Sequence, residues 1–216
     1  MTAYNSNRTM IKNAIKTGIR SLLINKKFTL LNIVGLSISL AVVIIIALWI
    51  TDELSFNKVF NNSNRVYELS ANFDKENDHF VHAGPPPIAI YGKSKIPAIE
   101  EICRISAGRN IQFNRNELMA TEYGVYVDST FNNVFNNTIK LLDQNKLFQG
   151  KQSIVITEKI ANKYFKNENP LGQTLYLEVD PILKTGKQPF LITAVISNFP
   201  SNTSLNADYL LPFELL

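Results

Sequence analysis

Residues Phe28 to Thr51 read FTLLNIVGLSISLAVVIIIALWIT, 24 positions without one Asp, Glu, Lys, Arg or His. As an α-helix the stretch is about 36 Å long at ~1.5 Å per residue, and bilayer hydrocarbon is about 30 Å thick. An uncharged helix of this length has its natural place across a membrane. A cleaved signal has an apolar region of only about 7–15 residues and a small-residue cleavage site. Here the run is longer and ends Ala47-Leu48-Trp49-Ile50-Thr51-Asp52, with no A-x-A pattern. The reading is an uncleaved anchor over 28–51, with Phe28 near the inner interface and Trp49 near the outer one.

Charge gives the direction. Six of the 22 Lys and Arg residues precede the span (Arg8, Lys12, Lys16, Arg20, Lys26, Lys27), and none of the 18 acidic residues does. Basic residues gather on the cytoplasmic side. Residues 1–27 are therefore expected inside and 52–216 outside. The part after Thr51 holds 16 basic against 18 acidic residues, a formal charge of −2. The high pI belongs to the N-terminal segment, and nucleic-acid binding loses its electrostatic support. Cys103 is the single cysteine, so no intramolecular disulfide can form. A disulfide-free exported domain fits a bacterial periplasm.

Before the span, residues 1–8 read as a polar, frayed end and a helix is expected from Thr9. Ile11, Ile15, Ile19, Leu22 and Leu23 share one face, while Lys12, Lys16 and Arg20 line another. Such a basic amphipathic helix suits the anionic inner leaflet first, and a cytoplasmic partner second. Within the span, Gly35 and Ser39 are four apart, as are Ser37 and Ala41, a spacing that lets a second helix approach.

After the span, Asp52, Asn57 and Asn61–Asn64 predict turns and caps. Arg65–Phe73 alternates and predicts a strand. Residues 74–87 predict a polar loop, and Ile88–Lys95 a short helix behind Pro87. Ile99–Ser106 predicts a strand or a junction. Arg109–Phe113 and Met119–Val127 predict a hairpin around Asn114–Glu117. A short helix follows within Ser129–Phe135. Ser153–Ile156 is an apolar strand, and Thr157 caps a helix over Glu158–Phe165. Thr174–Val179 and Phe190–Ser197 read as strands around the loop Asp180–Gln188, and a last strand begins near Asp208.

No catalytic constellation stands out. The sequence has no G-x-x-x-x-G-K-[ST] loop for ATP, no G-x-S-x-G elbow and no H-E-x-x-H. His79 and His82 are the only imidazoles, too few for a zinc site, and read as solvated loop residues. Cys103 reads as a structural thiol and Glu100-Glu101 as a solvated face. No catalytic, cofactor-binding or metal-binding residue is assigned.

The order of parts resembles the amino-terminal portion of MacB/FtsX-type ABC transporter permeases, especially the long kind of Bacteroidetes-like bacteria. The resemblance is carried by Asp52-Glu53-Leu54-Ser55-Phe56 and by Asn62, Arg65, Val66 and Tyr67. Three later blocks carry it too: Pro86–Ile105, with Ile96-Pro97-Ala98-Ile99-Glu100; Ser153–Phe165 running on to Leu175; and Thr193–Ile196 with Phe199-Pro200-Ser201-Asn202-Thr203-Ser204-Leu205. It implies an α+β fold: one membrane helix followed by a mixed α/β domain of the MacB periplasmic core type. It also implies a non-catalytic permease subunit in the bacterial inner membrane, working as a homodimer or permease pair. A cytoplasmic ABC ATPase would drive it, and a periplasmic partner could meet the outer domain. Lys12, Lys16, Arg20, Lys26 and Lys27 would face the membrane and the ATPase side. Family members continue into more outer domain and three further spans, so the chain is expected to be a truncated permease. The alternative reading is a single-pass, membrane-anchored periplasmic binding or sensor domain.

Overall fold

The computed structural model describes residues 2–60, 62–74, 79–81, 83–135, 139–142, 146–166, 168–179 and 186–216. The chain divides into two compact units, residues 1–54 and 55–216.

The first unit is helical. Helix α1 (Thr2–Ile24) and helix α2 (Lys26–Ser55) are separated only by Asn25. The helical hydrogen bonds run through the joint: the Asn25 amide donates to Ser21 O and the Thr29 amide to Asn25 O. The expected frayed start is thus helical from Thr2. Helix α2 is long and apolar enough to cross a membrane, and none of its residues is buried. Two of its hydroxyls bond back to the helix's own carbonyls. Ser39 Oγ donates to Gly35 O, and Thr51 Oγ1 donates to Ala47 O and Leu48 O. Asp52, expected in a turn or cap, lies with Glu53 in the last turn of this helix.

The second unit is a mixed α/β domain, as the sequence implied. A small sheet pairs β1 (Ala71–Asp74) with β2 (His79–Val81). Helix α3 (Pro86–Lys95) starts with a proline in its first turn, where a missing N–H costs nothing. The main sheet uses β3 (Arg109–Arg115), β4 (Leu118–Val127), β5 (Ile139–Leu142), β6 (Ser153–Thr157), β7 (Thr174–Glu178), β8 (Gln188–Ile196) and β9 (Tyr209–Pro212). Its order is β5-β8-β6-β9-β4-β3-β7, and β7 also pairs with β8. Six strands therefore close on themselves, with β5 alongside β8.

Closure depends on β8. Its first residues pair with β7, and its later ones pair with β6 and β5. The register slips by one residue where Ile154 faces Ile192 and Val155 faces Ala194. Thr193 is the extra residue of this bulge; it is buried, and its hydroxyl donates to Leu147 O at 2.6 Å.

Two apolar clusters result. One holds Phe113, Tyr126, Ile154, Ile156, Leu175, Leu177, Phe190 and Tyr209 with Ile160, Tyr164 and Phe165 of α5 (Glu158–Phe165). The other lies across Val125, Val127, Val155, Ala194, Ile196 and Leu210, covered by Phe131 of α4 (Phe131–Val134), Leu147 and Ala207. Gly124 of β4 is opposite Tyr209, whose ring and carbonyl occupy the space a Cβ would need.

Several expectations change. Only 71–73 of the alternating stretch 65–73 is strand, the first three residues of β1. Tyr67 is 87% exposed. His79 lies in β2 and not in a loop; His82 lies outside the described residues. Ile99–Ser106 forms no strand; it meets β4 through the isolated bridge Ile105 to Val127 and a bond from the Tyr126 amide to Ser106 Oγ. Asn114 belongs to β3, and the hairpin turns on Asn116-Glu117, with Asn116 at φ 53°. Strand β5 falls in a stretch for which the sequence suggested no element.

Candidate functional site

The polar clusters of the second unit are built to hold the fold. Glu122 is buried on the inner face of β4, where it accepts from Lys163 Nζ at 2.6 Å and from Tyr164 Oη at 2.7 Å. Burial, then this bond to Glu122, raises the Tyr164 pKa. Asp128 takes a bidentate fork from Arg104, whose guanidinium also lies 4.2 Å from the centre of the Phe213 ring. Arg115 bonds Tyr164 O, Glu168 and Gln173 and covers the Phe165 ring. Each charge is answered by a fixed partner. The Cys103 thiol is pushed up to about 12, chiefly by burial, which removes it as a nucleophile near neutral pH. Among the described residues no group of three or more His, Cys, Asp or Glu could hold a metal ion.

The residues that carried the resemblance group differently. Asp52, Glu53 and Leu54 are exposed on the last turn of α2. Arg65 ends a short 3₁₀ turn and pairs with Glu100 of the Ile96–Glu100 block. Tyr67 stands in solvent. The basic residues Lys12, Lys16 and Arg20 line one exposed side of α1, beside exposed Ile15, Ile19, Leu22 and Leu23. Lys26 and Lys27 open α2.

One cluster joins two separately quoted blocks. Asn57 takes the left-handed conformation, φ 59°, which asparagine tolerates better than most residues. Its Oδ1 accepts three bonds: from Thr203 Oγ1 at 2.9 Å, the Ser204 amide at 2.8 Å and Ser204 Oγ at 3.2 Å. The Asn57 amide donates to Asn202 O at 2.9 Å, and Asn202 Nδ2 donates to Ser55 Oγ at 2.9 Å. Thr203 is buried in this cluster. Three residues on, Phe60 is buried against Phe135, their ring centres 5.1 Å apart. Within the second unit, Ser55 and Asn57 thus meet the F-P-S-N-T-S-L block through Asn202, Thr203 and Ser204. Sequence reasoning gave Asn57 only a turn role. Its pairing with a segment some 145 residues away left no local trace.

The model of the MacB-like periplasmic core domain family matches residues 29–216. A putative permease domain from Porphyromonas gingivalis is 19% identical, with a TM-score of 0.47 over 60% of this chain and 52% of its own. The extracellular domain of the noncanonical ABC-type transporter YknZ from Gram-positive bacteria is 18% identical, with a TM-score of 0.44 over 59% of this chain and 62% of its own. The periplasmic region of MacB from Actinobacillus actinomycetemcomitans is 18% identical, with a TM-score of 0.42 over 73% of this chain and 63% of its own. The chain therefore spans about half to just under two-thirds of these structures. No curated protein matches.

Proposed function

Because the chain belongs to the family of the MacB-like periplasmic core domain, we propose that it serves as part of an ABC-type permease subunit that couples cytoplasmic ATP hydrolysis to a periplasmic domain, for export or mechanical transmission. The observation that carries this is the extent of the match. It takes in most of the apolar helix together with the whole α/β domain, as one family unit. In this reading residues 1–27 are cytoplasmic, 28–51 span the inner membrane and 52–216 are periplasmic. The positive charge before α2 supports that orientation. Lys12, Lys16, Arg20, Lys26 and Lys27 meet the inner leaflet and the ATPase side, and the ATPase is a separate chain or domain. The subunit pairs with a second permease copy and reaches a periplasmic partner through its outer domain.

The test is charge reversal on α1. In the full permease with its ATPase, Lys12, Lys16 and Arg20 are changed to Glu together. Each basic residue near an anionic leaflet contributes about 1 kcal/mol, so the triple change is large enough to read. Export in cells and ATPase stimulation in the purified complex should both fall. Unchanged export with unchanged stimulation would remove α1 from the coupling path.

A further inference from the structure

We infer that the Asn57 side chain is a force-bearing latch, which fixes the chain leaving α2 to the 202–204 turn and hands movement arriving along that chain to the centre of the sheet. The inference rests on the coupling role just proposed, and it names the residue through which coupling passes.

The geometry isolates one side chain. A single carbonyl oxygen, Asn57 Oδ1, takes three donors from Thr203 and Ser204. The backbone bond from the Asn57 amide to Asn202 O and the Asn202 bond to Ser55 Oγ close the same loop. Phe60 beside Phe135 holds the next few residues against α4. A connection between a helix and a domain ordinarily absorbs motion in its loop. Here the loop is pinned within two residues of the helix end.

The far side of the latch is equally fixed. Beyond Ser204, Leu205 packs on the second apolar cluster and Ala207 is buried in it. Asp208 O accepts from the Thr157 amide and the Thr157 hydroxyl, and its own amide donates to Tyr123 O. Lys159 bonds both Asp208 carboxylate oxygens. The chain then enters β9, which lies between β6 and β4. A displacement at Ser55 therefore meets a short hydrogen-bonded path into the central strands.

Two substitutions separate the latch from the turn. Glycine takes a positive φ readily but offers no acceptor, whereas aspartate keeps an acceptor in the same place. The full chain is placed in lipid nanodiscs in a Cys103→Ala background, with nitroxide labels at Trp49 and Lys151. Pulsed electron paramagnetic resonance then gives the distribution of label distances. Asn57→Gly should widen it at least twofold, with the near-ultraviolet circular dichroism of the domain intact. Asn57→Asp should leave it as in the parent. Should Asn57→Gly fail to fold, the pair Thr203→Val and Ser204→Ala removes the hydroxyl donors from the other side and should widen the distribution as well. A parental width in the acceptor-free or hydroxyl-free proteins overturns the latch. In the assembled permease, Asn57→Gly should lower export while Asn57→Asp retains it. A widened distribution with undiminished export overturns the force-bearing role. The α1 charge reversal, which leaves the latch untouched, tests the coupling role separately.

Discussion

Thr157 joins β6 to α5, and three substitutions there separate what its methyl group and its hydroxyl contribute. The residue is buried and extended, with φ −79° and ψ 163°. Its hydroxyl donates to Asp208 O at 3.1 Å and accepts from the Ile160 amide at 3.5 Å, capping the helix. Thr157→Val keeps the shape and removes both bonds. A helix cap is worth about 1 kcal/mol and an ordinary hydrogen bond about 0.5–1.5. The cap bond is long and Asp208 O keeps the Thr157 amide, so the valine variant should lose roughly 1.5 kcal/mol. Thr157→Ser removes one buried methyl, worth about 0.8 kcal/mol. Thr157→Ala removes both and should lose about 2.5 kcal/mol, without unfolding the domain. The assay is equilibrium urea unfolding of the full chain in nanodiscs, followed by tyrosine fluorescence and near-ultraviolet circular dichroism. Trp49, the only tryptophan, lies in α2 and does not report on the domain. A valine variant within about 0.5 kcal/mol of the parent, the range of neutral surface changes, would refute the reasoning. So would a serine variant less stable than the valine one.

The response to pH has two limbs. Glu168 is held below its ordinary value of 4.5 by its bond to Arg115. For Glu101, burial works upward, but bonds from Lys93, Asn133 and the Ile102 amide outweigh it and the net shift is also down. A carboxyl depressed in the folded state contributes stability above its unfolded value and loses it as pH falls through the folded one. Stability should therefore decline below about pH 4.5, less steeply in Glu101→Gln than in the parent. Lys159 is raised above 10.5 by its bond to Asp208, so its contribution persists through neutral pH and fades only as pH rises beyond that value. Midpoints of urea unfolding measured across pH check both limbs.

The parts legible in the sequence are those fixed by local pattern. Absence of charge marked α2, and a change from strand to helical periodicity at Thr157 marked β6 and α5, with Ile160, Tyr164 and Phe165 buried as that periodicity requires. The strands around 174–179 and 190–197 appear within two residues of their expected ends. Pairing is a non-local matter and left less trace. Alternation at Arg65–Phe73 suited a strand, yet among the described residues β2 pairs from Ala71 onward. The end of α2 was misplaced because Asp52 is a turn former by type, whereas the helix stops where Asn57 takes a left-handed conformation. The latch was the least legible part. Asn57, Asn202, Thr203 and Ser204 are ordinary turn residues one by one, and only the folded chain brings them together.

The proposed coupling role requires the basic helix and the outer domain to lie on opposite sides of one membrane. Labelling introduced cysteines with an impermeant thiol reagent, in intact cells and in a Cys103→Ala background, measures this directly. Ser70→Cys in the outer domain should react in intact cells, and Ser6→Cys in α1 should react only after the membrane is opened. Reaction at position 6 but not at position 70 in intact cells would contradict the topology and the coupling role built on it.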